Sequence, residues 1–341
     1  MIQATALSKQ FRTSVRADGP FKSVRSLFSR NYTIREAVHD VSFTIAPGEF
    51  VGYIGPNGAG KSTTVKMLSG ILHPTSGDVS IDGLSPYRDR RKVARRLGVL
   101  FGQRSQLWWD LPVRDSFEIL AAMYDISKSD ASARLDRLGS MLQLGDFMDT
   151  PVRKLSLGQR MRADIAAALL HNPGILFLDE PTIGLDVTAK RSIRTFLQQI
   201  NKELGTTVLL TTHDMDDIEQ LCSRVMVLNG GRLKFDGNIG QLRAMIGLPT
   251  LMTVTYRTAP AAFGDTGQAE YPRDDAPRAI TETLLAKGLR LQDVSGNSLT
   301  VEFNRERCSA MDALRILELY GDVDDVHMEE PNFEDIVHRI Y

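Results

Sequence analysis

Cysteine is nearly absent. Cys222 and Cys308 are the only two in 341 residues, they stand far apart, and no metal-ligand spacing surrounds either, which argues against a disulfide framework or a zinc site. That usage fits a reducing compartment. Long hydrophobic runs are missing too: nowhere is there a stretch of the roughly 20 apolar residues that a bilayer span requires. The opening MIQATALSKQF has no apolar core of the kind a secretory signal carries. If the chain works at a membrane, another chain is expected to cross it. Charge of one sign is also lacking. The 41 Lys and Arg against 42 Asp and Glu leave a formal net charge of -1, without the basic excess that neutralises a phosphate backbone, so nucleic acid is disfavoured as the main partner. What remains is 42% apolar residues over a length that suits two or three domains with substantial cores.

Up to about residue 240, short aliphatic or β-branched runs alternate with helical stretches, which predicts an α/β fold with a parallel sheet and packed helices. Buried strands are expected at residues 50–54, 98–101, 175–178 and 207–211. Residues 113–172 lack strand runs, and Phe117, Leu120, Ala121 and Tyr124 recur at helical spacing, so a helical subdomain is expected inside the α/β core. The texture changes beyond Gly247-Leu248-Pro249, and a loop rich in Gly, Pro and Asp follows at 260–277. A boundary is expected near 245, dividing the chain into residues 1–245 and 246–341. The tail predicts a strand at 251–257, a helix at 276–287, two strands about Ser295-Gly296-Asn297, a helix at 308–320 and a strand at 323–328. That β-α-β-β-α-β order makes a small ferredoxin-like α+β module.

Residues 13–35 stand apart from the first strand and the next. They carry Arg16, Lys22, Arg25, Arg30 and Arg35, while Phe21, Val24, Leu27 and Phe28 can share one helical face. Such a basic amphipathic insertion lies either on anionic lipid or a membrane subunit, or in solvent as a loop with a few packed apolar residues, the commoner fate of charge runs.

The segment Gly55-Pro56-Asn57-Gly58-Ala59-Gly60-Lys61-Ser62-Thr63 follows a buried strand and opens a helix with apolar Val65, Leu68 and Leu72. That is the setting a phosphate-binding loop requires. Its glycines let successive backbone N–H groups point into one hollow, and the helix N-terminus adds positive potential. Lys61 then reaches the β- and γ-phosphates, and the Ser62 hydroxyl is a ligand for Mg²⁺.

The run Ile175-Leu176-Phe177-Leu178-Asp179-Glu180-Pro181 is a buried strand ending in two acids, a costly arrangement unless they meet a cation or water at the sheet's carboxyl edge. Asp179 is the candidate metal holder. Glu180 is the candidate to polarise the water that attacks the γ-phosphate. His213 follows a third strand in Leu209-Leu210-Thr211-Thr212-His213-Asp214, and a γ-phosphate contact is its expected role beside the bland reading of a satisfied structural histidine.

With Leu155-Ser156-Leu157-Gly158-Gln159 between them, these residues resemble the ABC transporter nucleotide-binding domain over about the first 240 residues. The LSGGQ-like signature separates that family from other P-loop proteins; this sequence departs from it at Leu157 and retains Ser156, Gly158 and Gln159. The resemblance implies a P-loop NTPase core, RecA-like, with an antiparallel β subdomain. It implies ATP and Mg²⁺, and a second nucleotide-binding subunit whose bound γ-phosphate meets the Ser156 helix. One chain contains every site element, so a homodimer suffices. It further implies integral membrane permease subunits and a cytoplasmic location, peripheral on the inner face of the cell membrane.

Individual positions carry over. Gln103 matches the glutamine that senses Mg²⁺ and couples to the membrane subunit, with Gln106 as the alternative. Trp108 and Trp109 either receive a cytoplasmic helix of that subunit or pack within their own domain. Asp186, in Gly184-Leu185-Asp186, matches the loop that communicates across the dimer. Phe11 matches the aromatic that stacks on adenine, with Tyr32 as the alternative. The LSLGQ variant, the insertion and the tail look like the ATPases of ABC-2 type exporters of the daunorubicin-resistance-like and viologen-exporter-like groups, which move drug-like, lipid or polysaccharide substrates. The ending from Glu329 to Ile336 resembles the close of such subunits, whose tail supports dimer contacts. Two alternatives remain: an importer ATPase with a regulatory tail, expected as an OB-like barrel after residue 245, and a soluble ABC ATPase of translation or DNA repair. The second usually needs two cassettes or a long coiled coil, and neither occurs in this sequence.

Overall fold

Stretches such as Phe50-Val51-Gly52-Tyr53-Ile54 show no polar alternation, so they can be strands only where both faces of the sheet are covered. The computed structural model describes residues 1–14, 32–102, 105–246, 249–260, 278–305 and 307–329 and gives them that environment. The chain divides into two compact units, Met1–Ile239 and Gly240–Arg339.

The first unit holds two sheets. β1 (Ile2–Ser14), β2 (Tyr32–Ile45) and β4 (Ser76–Ile81) form an antiparallel sheet in the order β2-β1-β4. The larger sheet joins β3 (Phe50–Ile54), β5 (Leu97–Phe101), β6 (Ile175–Asp179), β7 (Thr207–Thr211), β8 (Arg224–Asn229) and β9 (Arg232–Gly237) in the order β5-β6-β7-β3-β8-β9. All its pairs are parallel except β8 with β9. Every residue of β3, β6 and β7 is buried. This order makes β6, β7 and β3 neighbours, so their carboxyl ends open on one edge of the sheet, where α/β proteins bind ligands.

Helix α1 (Lys61–Leu68) follows β3, and α2 (Arg90–Ala94) precedes β5. Between β5 and β6 lie α3 (Val113–Met123), α4 (Lys128–Leu142) and α5 (Leu157–Leu169), the expected helical subdomain. α6 (Val187–Leu204) and α7 (Met215–Leu221) follow β6 and β7. No helix among the described residues is long and apolar enough to cross a membrane.

α8 (Ile239–Ile246) spans the division between the units. The second unit runs β10 (Thr250–Tyr256), α9 (Arg278–Ala286), β11 (Leu289–Ser295), β12 (Ser298–Phe303), α10 (Ala310–Leu317) and β13 (Val323–Glu329), and its four strands form an antiparallel sheet in the order β11-β12-β10-β13. That is the ferredoxin-like arrangement. The alternation of β10 buries Met252, Val254 and Tyr256 with Leu299, Val301, Phe303 and Leu317.

Several expectations are corrected. Ser14 pairs with Tyr32, so the hairpin of β1 and β2 is longer than expected, and Thr33, Ile34 and Arg35 are strand rather than insertion. Their β-branched and aromatic neighbours favour that outcome. Phe11 accordingly lies inside β1 and not at its end. The rest of the insertion, with its proposed amphipathic face, falls outside the described residues, as do Gln103, the loop after Pro260 and the ending beyond Glu329. Leu72 packs against the core but lies beyond α1, which stops at Leu68.

Candidate functional site

The loop between β3 and α1 is shaped by close approaches that exclude a side chain. A Cβ on Gly55 would sit 2.4 Å from the carbonyl oxygen of Leu228, and one on Gly60, at φ 105°, would sit 2.4 Å from that of Ala37. Only glycine fits there. The loop thereby curls so that Asn57, Gly58, Ala59, Gly60, Lys61, Ser62 and Thr63 line a cleft of about 540 Å³ together with Phe11, Arg35 and Glu180. Gly55 and Pro56 contribute differently: their carbonyls accept hydrogen bonds from the Lys61 ammonium. Burial lowers the pKa of that ammonium, while the charges of Glu180 and Asp179 hold it up. A cation kept in a dry hollow suits a polyphosphate.

Asp179 ends β6 in register with Thr211 of β7. Its Oδ1 accepts hydrogen bonds from the Thr211 hydroxyl and from Ser62 Oγ, the latter at 3.3 Å. Ser62 and Asp179, far apart in sequence, thus meet as two hard oxygen donors of the kind a small divalent cation takes. Among the described residues no cluster of three His, Cys, Asp or Glu side chains could hold a metal, so a cation there would complete its shell with phosphate and water.

Glu180 leaves the strand in a left-handed conformation, φ 54°, and its N–H donates to the Thr211 carbonyl at 2.8 Å. Such strain in a non-glycine residue persists where surrounding structure enforces it. His213 Nε2 lies 2.9 Å from Glu180 Oε1. Behind both, fully buried Asp217 accepts hydrogen bonds from Arg194, Thr182 and Thr212. That network ties the chain after Glu180 to the chain before His213.

The remaining predicted residues gather elsewhere. Ser156 caps α5 in a reciprocal box: its Oγ accepts from Gln159 N–H at 3.2 Å, and Gln159 Oε1 accepts from Ser156 N–H at 2.9 Å. The helix therefore begins at Leu157. Ser156, Gly158, Gln159 and Asp186 line a second cleft of about 370 Å³, and among the described residues none lines both this cleft and the one at Lys61. Asp186 is itself the cap of α6. Leu157, the departure from the signature, lies 3.1 Å from where a Cβ on Gly184 would be. Trp108 and Trp109 are both partly exposed, and the Arg160 guanidinium lies over the Trp109 ring at 5.8 Å from its centre. Sequence reasoning missed Arg12, Arg35 and Ala37, which line the first cleft, and Thr211, which holds Asp179. Arg35 needed the strand register to be found.

The family model described as ABC transporter matches residues 38–183. ABC transporter ATP-binding protein NatA of Bacillus subtilis (strain 168) is 34% identical over 215 residues, 63% of this chain and 87% of NatA. Relatives named for opposite directions both occur. Nod factor export ATP-binding protein I of Burkholderia thailandensis is 38% identical over 208 residues, 61% of this chain and 68% of that protein. Methionine import ATP-binding protein MetN of Latilactobacillus sakei is 34% identical over 220 residues, 63% of this chain and 64% of that protein. The solved dimer of the ATP-binding cassette MJ0796 in a post-hydrolysis state with ADP and Pi superposes with a TM-score of 0.59 at 27% identity, covering 70% of this chain and 99% of that one. A likeness that extends over most of NatA identifies the chain as a member of the ABC transporter ATP-binding family and an ATPase.

Proposed function

We propose that the chain energises export of a drug-like, lipid or polysaccharide substrate through separate integral membrane permease subunits of the ABC-2 type. In this reading it works as a homodimer on the cytoplasmic face of the cell membrane. The observation that carries the dimer is the division of the site: Lys61 lines one cleft and Ser156 another. A nucleotide held by Lys61 meets a Ser156 helix only when a second copy supplies it.

The N–H groups of the loop and the N-terminus of α1 bind the phosphates, and Lys61 moves from the Gly55 and Pro56 carbonyls onto the β- and γ-phosphates. Ser62 and Asp179 would hold Mg²⁺, which would supply positive charge to offset that of the phosphates. Glu180 polarises the attacking water, and His213 fixes Glu180 and contacts the γ-phosphate. Phe11 stacks on adenine. Gln103 senses the metal. Across the dimer, Ser156, Gly158 and Gln159 present the capped helix end to the γ-phosphate, and Asp186 relays the state of one site to the other. Loss of that phosphate on hydrolysis removes the bridge.

The likeness to Nod factor export protein I supports export, and so does a βαββαβ second unit in place of an OB-like barrel. The likeness to MetN favours import as the second reading. Purifying the native complex and reconstituting it in vesicles with ATP on the nucleotide-binding side discriminates these. Substrate moving away from that side supports export, movement toward it supports import, and the absence of any co-eluting membrane chain favours a soluble ABC ATPase.

A further inference from the structure

The hairpin of β1 and β2 sets Phe11 directly opposite Arg35. Opposed residues of an antiparallel pair send their side chains to the same face, and that face meets the phosphate-binding loop. A Cβ built on Gly58 would lie 3.4 Å from a guanidinium nitrogen of Arg35, and Phe11, Arg35, Gly58 and Lys61 line one cleft. The charges of that lining are Arg12, Arg35 and Lys61 against Glu180 alone. This positive balance suits a ligand with several negative charges and exceeds what Lys61 supplies by itself.

We propose that Arg35 is a further nucleotide-binding residue whose guanidinium engages the phosphate oxygens of the nucleotide held over Gly58. The proposal rests on the cleft being the ATP site. A planar fork of N–H donors matches a pair of phosphate oxygens, and its place at Gly58 puts it at the phosphate-binding loop. The aromatic ring facing the base is left to Phe11. Arg35 thus adds a contact that a Gly-rich loop and its lysine do not contain, from a strand that has no part in the loop's own sequence motif. The residue is exposed, so its replacement does not put the core at risk.

The test uses the full chain and its Arg35→Ala, Arg35→Lys, Phe11→Ala and Lys61→Ala variants. Affinities for ATP and for inorganic tripolyphosphate are read by displacement of a fluorescent ATP analogue. Arg35→Ala is expected to weaken both ligands by the same factor, about tenfold for one charge-assisted contact. The loss should shrink as salt rises, and Arg35→Lys should recover part of it. Phe11→Ala should weaken ATP alone. Unchanged affinities in Arg35→Ala overturn the proposal, and so does a loss confined to ATP, which would put the guanidinium on the base or ribose. Lys61→Ala separates this failure from a deeper one. If it too binds tripolyphosphate normally, the cleft is not the phosphate site and both readings fall; if it loses binding while Arg35→Ala does not, only the role of Arg35 falls.

Discussion

His213 Nε2 stands 2.9 Å from Glu180 Oε1, and each of the two residues lies just past the carboxyl end of its own strand, β7 and β6. The strands are paired in register up to Asp179 and Thr211, so the backbone alone delivers the two side chains to the same place. Past the left-handed turn at Glu180, the two neighbouring acids have different partners: Glu180 faces His213, while Asp179 accepts from Thr211 and Ser62.

Replacing Glu180 by Gln keeps the shape and removes the carboxylate that the proposed function makes the base. ATP turnover should be lost while ATP-dependent dimers persist, read by phosphate release and by size-exclusion chromatography with and without ATP. Replacing His213 by Ala should lower kcat by roughly 100-fold, the lower end of what a positioned proton-transfer or water-orienting group supplies. ATP affinity should fall by much less than kcat, because in the proposed function His213 supplies one phosphate contact beside those of the loop and Lys61. A Glu180→Gln protein that still releases phosphate contradicts the assignment.

Lys61 is nearly inaccessible, at 6% exposure, with its ammonium on the Gly55 and Pro56 carbonyls. Lys61→Ala removes the one charge the loop motif itself aims at the phosphates and should weaken ATP by about ten- to a hundredfold, the worth of a charge-assisted hydrogen bond. Gly60→Ala should be as damaging although it leaves the lysine in place, because its Cβ would collide with the Ala37 carbonyl. Calorimetric titration with ATP checks both, and a Gly60→Ala protein that binds normally would show that the loop has room the structure denies it.

These features differ in how far they could be read ahead. Lys61, Asp179 and Glu180 were legible because each lies in a motif that follows or ends an uninterrupted apolar strand, where chain order alone fixes the surroundings. The βαββαβ order of the tail was legible for the same reason: its β10 alternation and hairpin turn are local signals. Arg35 was not, because its place over Gly58 depends on the register Phe11 with Arg35 across a hairpin whose length the intervening charged residues disguise. Nor was Asp164, an acid inside α5 whose neighbours in sequence say nothing of Ser105. Leu157 illustrates a third kind of opacity: its close approach to Gly184 joins the start of α5 to the loop before α6, which only the folded chain brings together.

Asp164 is buried in α5, where Oδ1 accepts hydrogen bonds from Ser105 Oγ at 2.8 Å and from Gln106 N–H at 2.9 Å. Burial nonetheless pushes its pKa up to about 6, the hydrogen bonds opposing that rise only in part. A carboxyl that holds its proton more tightly in the folded chain loses stability as pH rises, since the unfolded chain ionises first. The loss should begin near pH 4, be complete above about pH 6, and amount to about 3 kcal/mol at about 1.4 per unit. Asp164→Asn abolishes this titration while leaving an oxygen to accept the same two bonds. The variant should therefore gain stability relative to wild type as pH rises through that window and hold a constant difference above it. Urea unfolding of both proteins at intervals across the window provides the check, and parallel stability curves would refute the coupling.

Each unit has an apolar cluster of its own. The core cluster beneath β1, β3 and α1 draws only on residues up to Leu233, and the cluster of the second unit only on residues from Met252 onward, among those described. Ending the chain near residue 245 should therefore remove no side chain from that first core and no strand from either of its sheets. Cooperative folding depends on a closed hydrophobic core rather than on chain length. We expect the shortened protein to melt in a single transition and to bind ATP with near-native affinity. The remaining segment, with its own four-stranded sheet, should fold alone when expressed alone. Circular dichroism melts and nucleotide titration of the two halves measure this directly. Aggregation of the shortened protein under conditions where the full chain is folded would mean that the first unit borrows stability from the second.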